Sequence, residues 1–183
     1  AMVDGVAALM ASVSAGMQQG YWTDQRGENL LDSGAAFYDV YETKDGKYIS
    51  IGSLEPQFYK ELLEKLDLVG KLPSPGDHLN PANWAPMRPV LTEIFLGKTR
   101  DEWCEVFEGS DVCFAPVLAA AEVFEHEHHK ARGSFVELGK VKHAVAAPRF
   151  SRTVPDLPKA ARARGADNAE IFAELGIEDP NGG

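Results

Sequence analysis

A chain of 183 residues that is 44% hydrophobic is long enough to bury one core, or one core plus an appendage, and has an ordinary globular composition. Its formal charge of −10 and pI near 4.9 exclude non-specific adhesion to nucleic acid or to an anionic membrane, both of which repel acidic surfaces. No apolar run approaches the roughly 20 residues of a bilayer span and no basic leader opens at Ala1-Met2-Val3-Asp4, so a cytoplasmic protein is expected.

Met2, Val6, Leu9, Met10, Val13 and Met17 recur at helical spacing and predict one helix ending near Gly20. No cap precedes it, so it reads either as the tail of a longer element or as an ordinary amphipathic helix. Residues 21–34 turn polar and are punctuated by Gly27, Asp32, Ser33 and Gly34, which predicts a connecting loop, with a hinge between bodies as one reading. Runs 37–42 and 47–51 are rich in Tyr, Val and Ile and are joined by Thr43-Lys44-Asp45-Gly46, a β-hairpin signal.

Glu55-Pro56 then opens a helix carrying Phe58, Leu62, Leu63, Leu66 and Leu68 and ending near Gly70, with Pro where its missing N–H is harmless. A Pro/Gly/Asn-rich loop over 72–83 leads to helices near 87–96 and 100–107, the second opened by a Thr99/Glu102 capping box. Residues 112–118, interrupted by Pro116, suit an edge strand or an extended segment. A helix near 119–125, a short strand over 134–138, an extended stretch over 146–152 and a helix from Asn168 to Leu175, stopped by Gly176, complete the chain.

Three groups invite chemistry. Glu55, at a helix entrance, would feel free N–H groups and the macrodipole; spacing alone leaves it open as a cap or as a base. His126, His128 and His129 could approach a metal, but one histidine-rich turn supplies no closed ligand set, so no metal is expected. Cys104 and Cys113 are too few for a disulfide scaffold and have no metal-ligand spacing, so both are expected as reduced core residues. There is no P-loop and no dinucleotide fingerprint.

The stretch Gly27-Glu28-Asn29-Leu30-Leu31-Asp32-Ser33-Gly34-Ala35-Ala36-Phe37-Tyr38, with Gly52-Ser53-Leu54-Glu55-Pro56-Gln57-Phe58-Tyr59, closely resembles the central segment of the α-methylacyl-CoA racemases of CoA-transferase family III. The histidine-rich turn before Arg132-Gly133 resembles the family as well, whereas Ser33 and Ala36 stand where the family pattern usually has Gly and Pro. The likeness is dense to about residue 155; beyond it, Gly165-Ala166-Asp167 stands where the family has Gly-x-His.

The resemblance implies that Glu55 is a catalytic acid/base, that Tyr38 lies near substrate, and that Leu31 and Leu54 line the acyl-binding surface. Read from the residues alone, Tyr38, Leu31 and Leu54 could equally be packing residues. The resemblance further implies an acyl-CoA thioester as substrate, no separate cofactor, a homodimer, and catalytic His and Asp residues upstream of Ala1. The chain thus reads as the C-terminal portion of an enzyme, inactive by itself. The expected class is α+β: a small domain of hairpin and packed helices at 38–130, between segments 1–37 and 131–183 that belong to a larger α/β body. Racemisation at carbon 2 of 2-methylacyl-CoA is the expected reaction. A CoA transferase and a non-catalytic CoA-binding or assembly fragment are the rivals.

Overall fold

The computed structural model describes residues 1–156 and 159–178, which fall into two compact units, Ala1–Leu118 and Ala119–Gly183. Helices and small antiparallel sheets make an α+β fold. The first unit takes in residues 1–37 together with the hairpin and its helices, and residues 119–130 go with the second.

The first unit opens with α1 (Met2–Leu9) and α2 (Ala11–Gln19), two helices where the apolar spacing predicts one. The chain turns at Met10, and weak helix formers, Gly5, Ser12, Ser14 and Gly16, flank the break. No residue of α1 is buried, so packing does not enforce a common axis. Met2, Val6, Leu9 and Met17 are all exposed.

The loop after α2 is knit rather than slack. Asn29 is 2% exposed, and its amide accepts from the Thr23 N–H at 2.7 Å. The amide also donates to the carbonyls of Thr23 and Gln25 and to the Asp32 carboxylate at 2.7 Å. The Gly34 N–H donates to the Asn29 carbonyl, and a Cβ at Gly34 would lie 2.4 Å from that oxygen, so only glycine fits. From α4 (Trp84–Phe95), Arg88 pairs with Asp39 and donates to the carbonyls of Ser33 and Gly34. Ser33 itself sits at φ +74°, a left-handed backbone at the position where the family pattern usually carries Gly.

Strands β1 (Tyr38–Glu42) and β2 (Tyr48–Gly52) form the expected hairpin, with Tyr38 opposite Gly52 and Glu42 opposite Tyr48. β3 (Phe114–Val117) pairs antiparallel with the other side of β2, and as an edge strand it tolerates Pro116. Tyr41, Ile49 and Ile51 point inward and are buried, while Tyr38, Val40, Tyr48 and Val117 face out. Helix α3 (Pro56–Lys65) ends earlier than its apolar pattern predicts: Leu66 caps it and Asp67 adopts φ +54°, although Leu68 remains buried. α4 starts at Trp84, before the predicted Met87, and contains Pro89, whose lost hydrogen bond is offset by burying Trp84, Met87, Leu91 and Phe95. α5 (Arg100–Phe107) carries the predicted box: Thr99 Oγ1 accepts from the Glu102 N–H and the Glu102 carboxylate from the Thr99 N–H.

Aromatic rings fill the space between sheet and helices. Phe37 meets Tyr59, His78 and Trp84 edge-on at centroid distances of 5.9, 4.6 and 6.4 Å, and Phe95 meets Trp103 at 5.2 Å. Full burial of one such side chain contributes about 1.5–3 kcal/mol. His78 is fully buried and stacks flat on Tyr59 at 4.0 Å. Its Nδ1 accepts from the Gly76 N–H at 3.0 Å, which leaves Nε2–H, 3.0 Å from the Leu54 carbonyl, to donate. Burial lowers its pKa below the ordinary 6.5, outweighing the hydrogen bond to Leu54 and the charge of Asp77.

In the second unit, α6 (Ala120–Val123) and α7 (Glu127–Arg132) precede a hairpin of β4 (Phe135–Leu138) and β5 (Val141–Ala144), and α8 (Asn168–Leu175) ends at a left-handed Gly176. The sequence pattern does not single out β5, although the two-residue Gly139-Lys140 turn that makes it is a known hairpin signal. The stretch 146–152, expected to be extended, contains bends and no strand. Glu125 accepts from Lys142 and pairs with Lys130, which together hold its carboxyl down at about 2.

Ser33→Gly should stabilise the first unit by roughly 1 kcal/mol, because glycine adopts positive φ without a Cβ penalty. A urea midpoint that stays put or falls would count against strain at this residue. His78 offers a pH test. Its folded-state pKa lies below 6.5, so its contribution is complete above 6.5 and is lost as pH falls below that value toward the folded pKa. The first unit should therefore be less stable at pH 5 than at pH 7, and His78→Gln should flatten that dependence; an unchanged slope would contradict a buried neutral imidazole.

Candidate active site

The segment Gly52-Ser53-Leu54 joins β2 to α3 and is fixed residue by residue. The Gly52 N–H donates to the Cys113 carbonyl at 3.0 Å and the Ser53 N–H to the Phe37 carbonyl at 3.1 Å. Ser53 Oγ, fully buried, donates to the Val112 carbonyl at 2.6 Å, and the Leu54 carbonyl receives His78 Nε2–H. Glu55 follows at once as the residue before α3, in extended backbone with φ −76° and ψ 144°.

Its backbone carbonyl accepts from the Tyr59 N–H, but its side chain makes no capping hydrogen bond. Glu55 thus occupies the cap position of α3 without capping it through its side chain. The carboxylate is exposed on a rigid mount, at the helix end whose free N–H groups favour negative charge.

Around it lies an open cleft of about 510 Å³, lined by Tyr38, Ser50, Ile51, Gly52, Leu54, Phe58 and Cys113 as well as Glu55. Three residues singled out in the sequence, Tyr38, Leu54 and Glu55, come together here. Leu31 does not: it is exposed on the Asn29 loop and outside this lining, because that loop folds back upon itself and Arg88. Leu54 is half-buried and packs on the core, so it serves both surfaces.

The expectation of two core cysteines is corrected. Cys104 is half-buried on α5, and Cys113 is exposed and lines the cleft at φ +58°. The cause is backbone geometry at the entrance to β3, where the Cys113 carbonyl holds Gly52 and its thiol lies 3.7 Å from the Asp111 carbonyl. Burial, with the charges of Glu55 and Asp111, pushes the thiol pKa up, so Cys113 keeps its proton at neutral pH.

Sequence reasoning missed Cys113, Ser53 and His78 as parts of this arrangement. Their roles depend on partners far away in the chain, and no local spacing announces them. Among the described residues, no Lys or Arg lines the cleft. A wider cleft of about 760 Å³ borders Tyr21, Asn29, Trp84 and Arg88, but that arginine is already engaged with Asp39 and two carbonyls. His126 and His128 approach His129 with ring centroids 5.7 and 6.2 Å apart; among the described residues, no group of three metal-ligating side chains converges. No helix of the described residues is long and apolar enough to cross a membrane.

Comparison with known proteins bears on these features. Over 180 residues the chain is 38% identical to the alpha-methylacyl-CoA racemase of Mus musculus, covering 96% of this chain and 46% of the relative. It is 40% identical over 136 residues to the alpha-methylacyl-CoA racemase of Homo sapiens, covering 74% of this chain and 35% of that one. The chain therefore spans less than half the length of these relatives. A CAIB/BAIF family protein from Brucella suis shares the fold, with a TM-score of 0.71 at 23% identity over 96% of this chain and 47% of its own. The model of CoA-transferase family III matches residues 1–168, and the chain belongs to that family.

Proposed function

We propose that this chain supplies an acid/base carboxylate, Glu55, and part of the acyl pocket to an enzyme that inverts carbon 2 of 2-methylacyl-CoA thioesters. The observation that carries the reading is the Glu55 carboxylate itself: exposed, free of capping duty, and mounted in a cleft walled by Tyr38, Leu54, Phe58 and Cys113. Similarity to the racemases over nearly the whole chain supports it.

In one direction Glu55 takes the C2 proton, the C2–H electron pair moves into the C2–C1 bond, and the thioester oxygen gathers enolate charge. A donor on the opposite face then returns a proton to C2, giving the other epimer with no net change in atoms. In the reverse direction Glu55 delivers the proton. Such a carboxylate must meet the substrate face directly, and a cap bonded to its own helix would compete with that task. The chain spans less than half the length of its racemase relatives, and we assign the opposite face to a His and its Asp partner in the remainder of such an enzyme. The exposed stripe of Met2, Val6, Leu9 and Met17 is the surface we assign to contact with the remainder of such an enzyme, in a cytoplasmic homodimer.

Family membership equally admits a CoA transferase, which would pass CoA between acids and need no C2 proton transfer. Glu55→Gln separates the two. With the N-terminal half of a family racemase supplied, the variant should invert a pure 2-methylacyl-CoA epimer about 10²- to 10⁴-fold more slowly than wild type, the usual loss for one acid/base group. Affinity for the thioester should change little. Inversion at an unchanged rate would remove Glu55 from the mechanism; CoA transfer that survives the substitution, without inversion by wild type, would favour the transferase. Thioester binding with neither reaction would leave a binding or assembly module.

A further inference from the structure

Gly52 leaves a notch in the wall of the Glu55 cleft. A Cβ placed there would stand 3.4 Å from Cε2 of Tyr38 and 3.7 Å from Cβ of Cys113, both ordinary contact distances. The backbone at Gly52 is not left-handed, and no neighbour would be forced to move. Neither conformation nor crowding therefore demands glycine, although glycine at a strand end forfeits packing and adds chain entropy to be lost on folding. The remaining physical use of a missing side chain is space for something that approaches the backbone closely.

The notch is also well placed. It lies in the same cleft as Glu55, with the Tyr38 ring on one side and Cys113 on the other. A side-chain carbon at this position would touch both walls, so the notch is narrow where it meets the backbone. Cys113 keeps its proton, so this wall is soft and uncharged rather than anionic.

We propose that the Gly52 notch, between Tyr38 and Cys113, seats the small branch on carbon 2 of the acyl thioester and so sets the size of branch that the site accepts. The proposal rests on Glu55 acting at that same carbon. Seating the branch orients the C2–H bond toward the carboxylate, and one methyl group in a fitted pocket is worth about tenfold or more in discrimination.

The test pairs this chain with the N-terminal half of a family racemase and measures dissociation constants by calorimetry for a 2-methylacyl-CoA and its unbranched counterpart. Gly52→Ala, which the contact distances accommodate, should raise the ratio of branched to unbranched dissociation constants about tenfold. Cys113→Gly, which relieves a positive φ and opens the notch, should instead shift preference toward a 2-ethylacyl-CoA. Ratios unmoved in both variants, equal losses for all thioesters, or no thioester binding by the wild-type pair would each overturn the proposal. Failure of the Glu55 reading shows separately, as inversion that survives Glu55→Gln while the Gly52→Ala ratio still shifts.

Discussion

Everything at the candidate site depends on how the backbone of Gly52, Ser53 and Leu54 is held. Three successive residues are tied to three different parts of the unit: Cys113 at the entrance to β3, Phe37 and Val112 in the core, and His78 in the loop before α4. Ser53 is buried and bonded, so its position cannot relax without leaving polar groups unsatisfied. Glu55 is the first residue after this anchored segment, and its side chain inherits that rigidity while remaining in solvent. Precise placement of an acid/base group is where much of its rate advantage arises, and the anchors lie on sheet and core rather than on a free loop.

The imidazole of His78 joins the core to the site. Stacked on Tyr59 and accepting from Gly76, it is neutral, and only the neutral tautomer can donate to Leu54 while receiving that N–H. Packing of the aromatic cluster and placement of Glu55 are therefore one problem. The Asn29 loop is a second brace: Arg88 ties it to Asp39 on β1, whose neighbour Tyr38 lines the cleft.

Elements set by local chemistry were legible in the sequence. The hairpin followed from Asp45-Gly46 between β-rich runs, α3 from Pro at its first position, α5 from Thr99 and Glu102, and the stop of α8 from Gly176. Family likeness picked out Glu55, and three of the four residues proposed for the site do share one cleft. Long-range partnership stayed hidden. His78 reads as loop, Arg88 as one polar residue of a helix, and Cys113 as a small core residue, because each takes its role from atoms tens of positions away. The break at Met10 escaped periodicity, since two consecutive helices keep the same apolar spacing as one.

Proton transfer at carbon 2 can be followed with the wild-type protein. One pure epimer of a 2-methylacyl-CoA would be incubated in deuterium oxide with this chain and the N-terminal half of a family racemase, with C2 deuterium and epimer ratio followed together by NMR. Deuterium appearing at C2 as the opposite epimer forms, with the thioester intact, is the result predicted for Glu55 acting across the substrate from a second group. Movement of CoA to another carboxylic acid, with C2 unlabelled and its configuration retained, would contradict it.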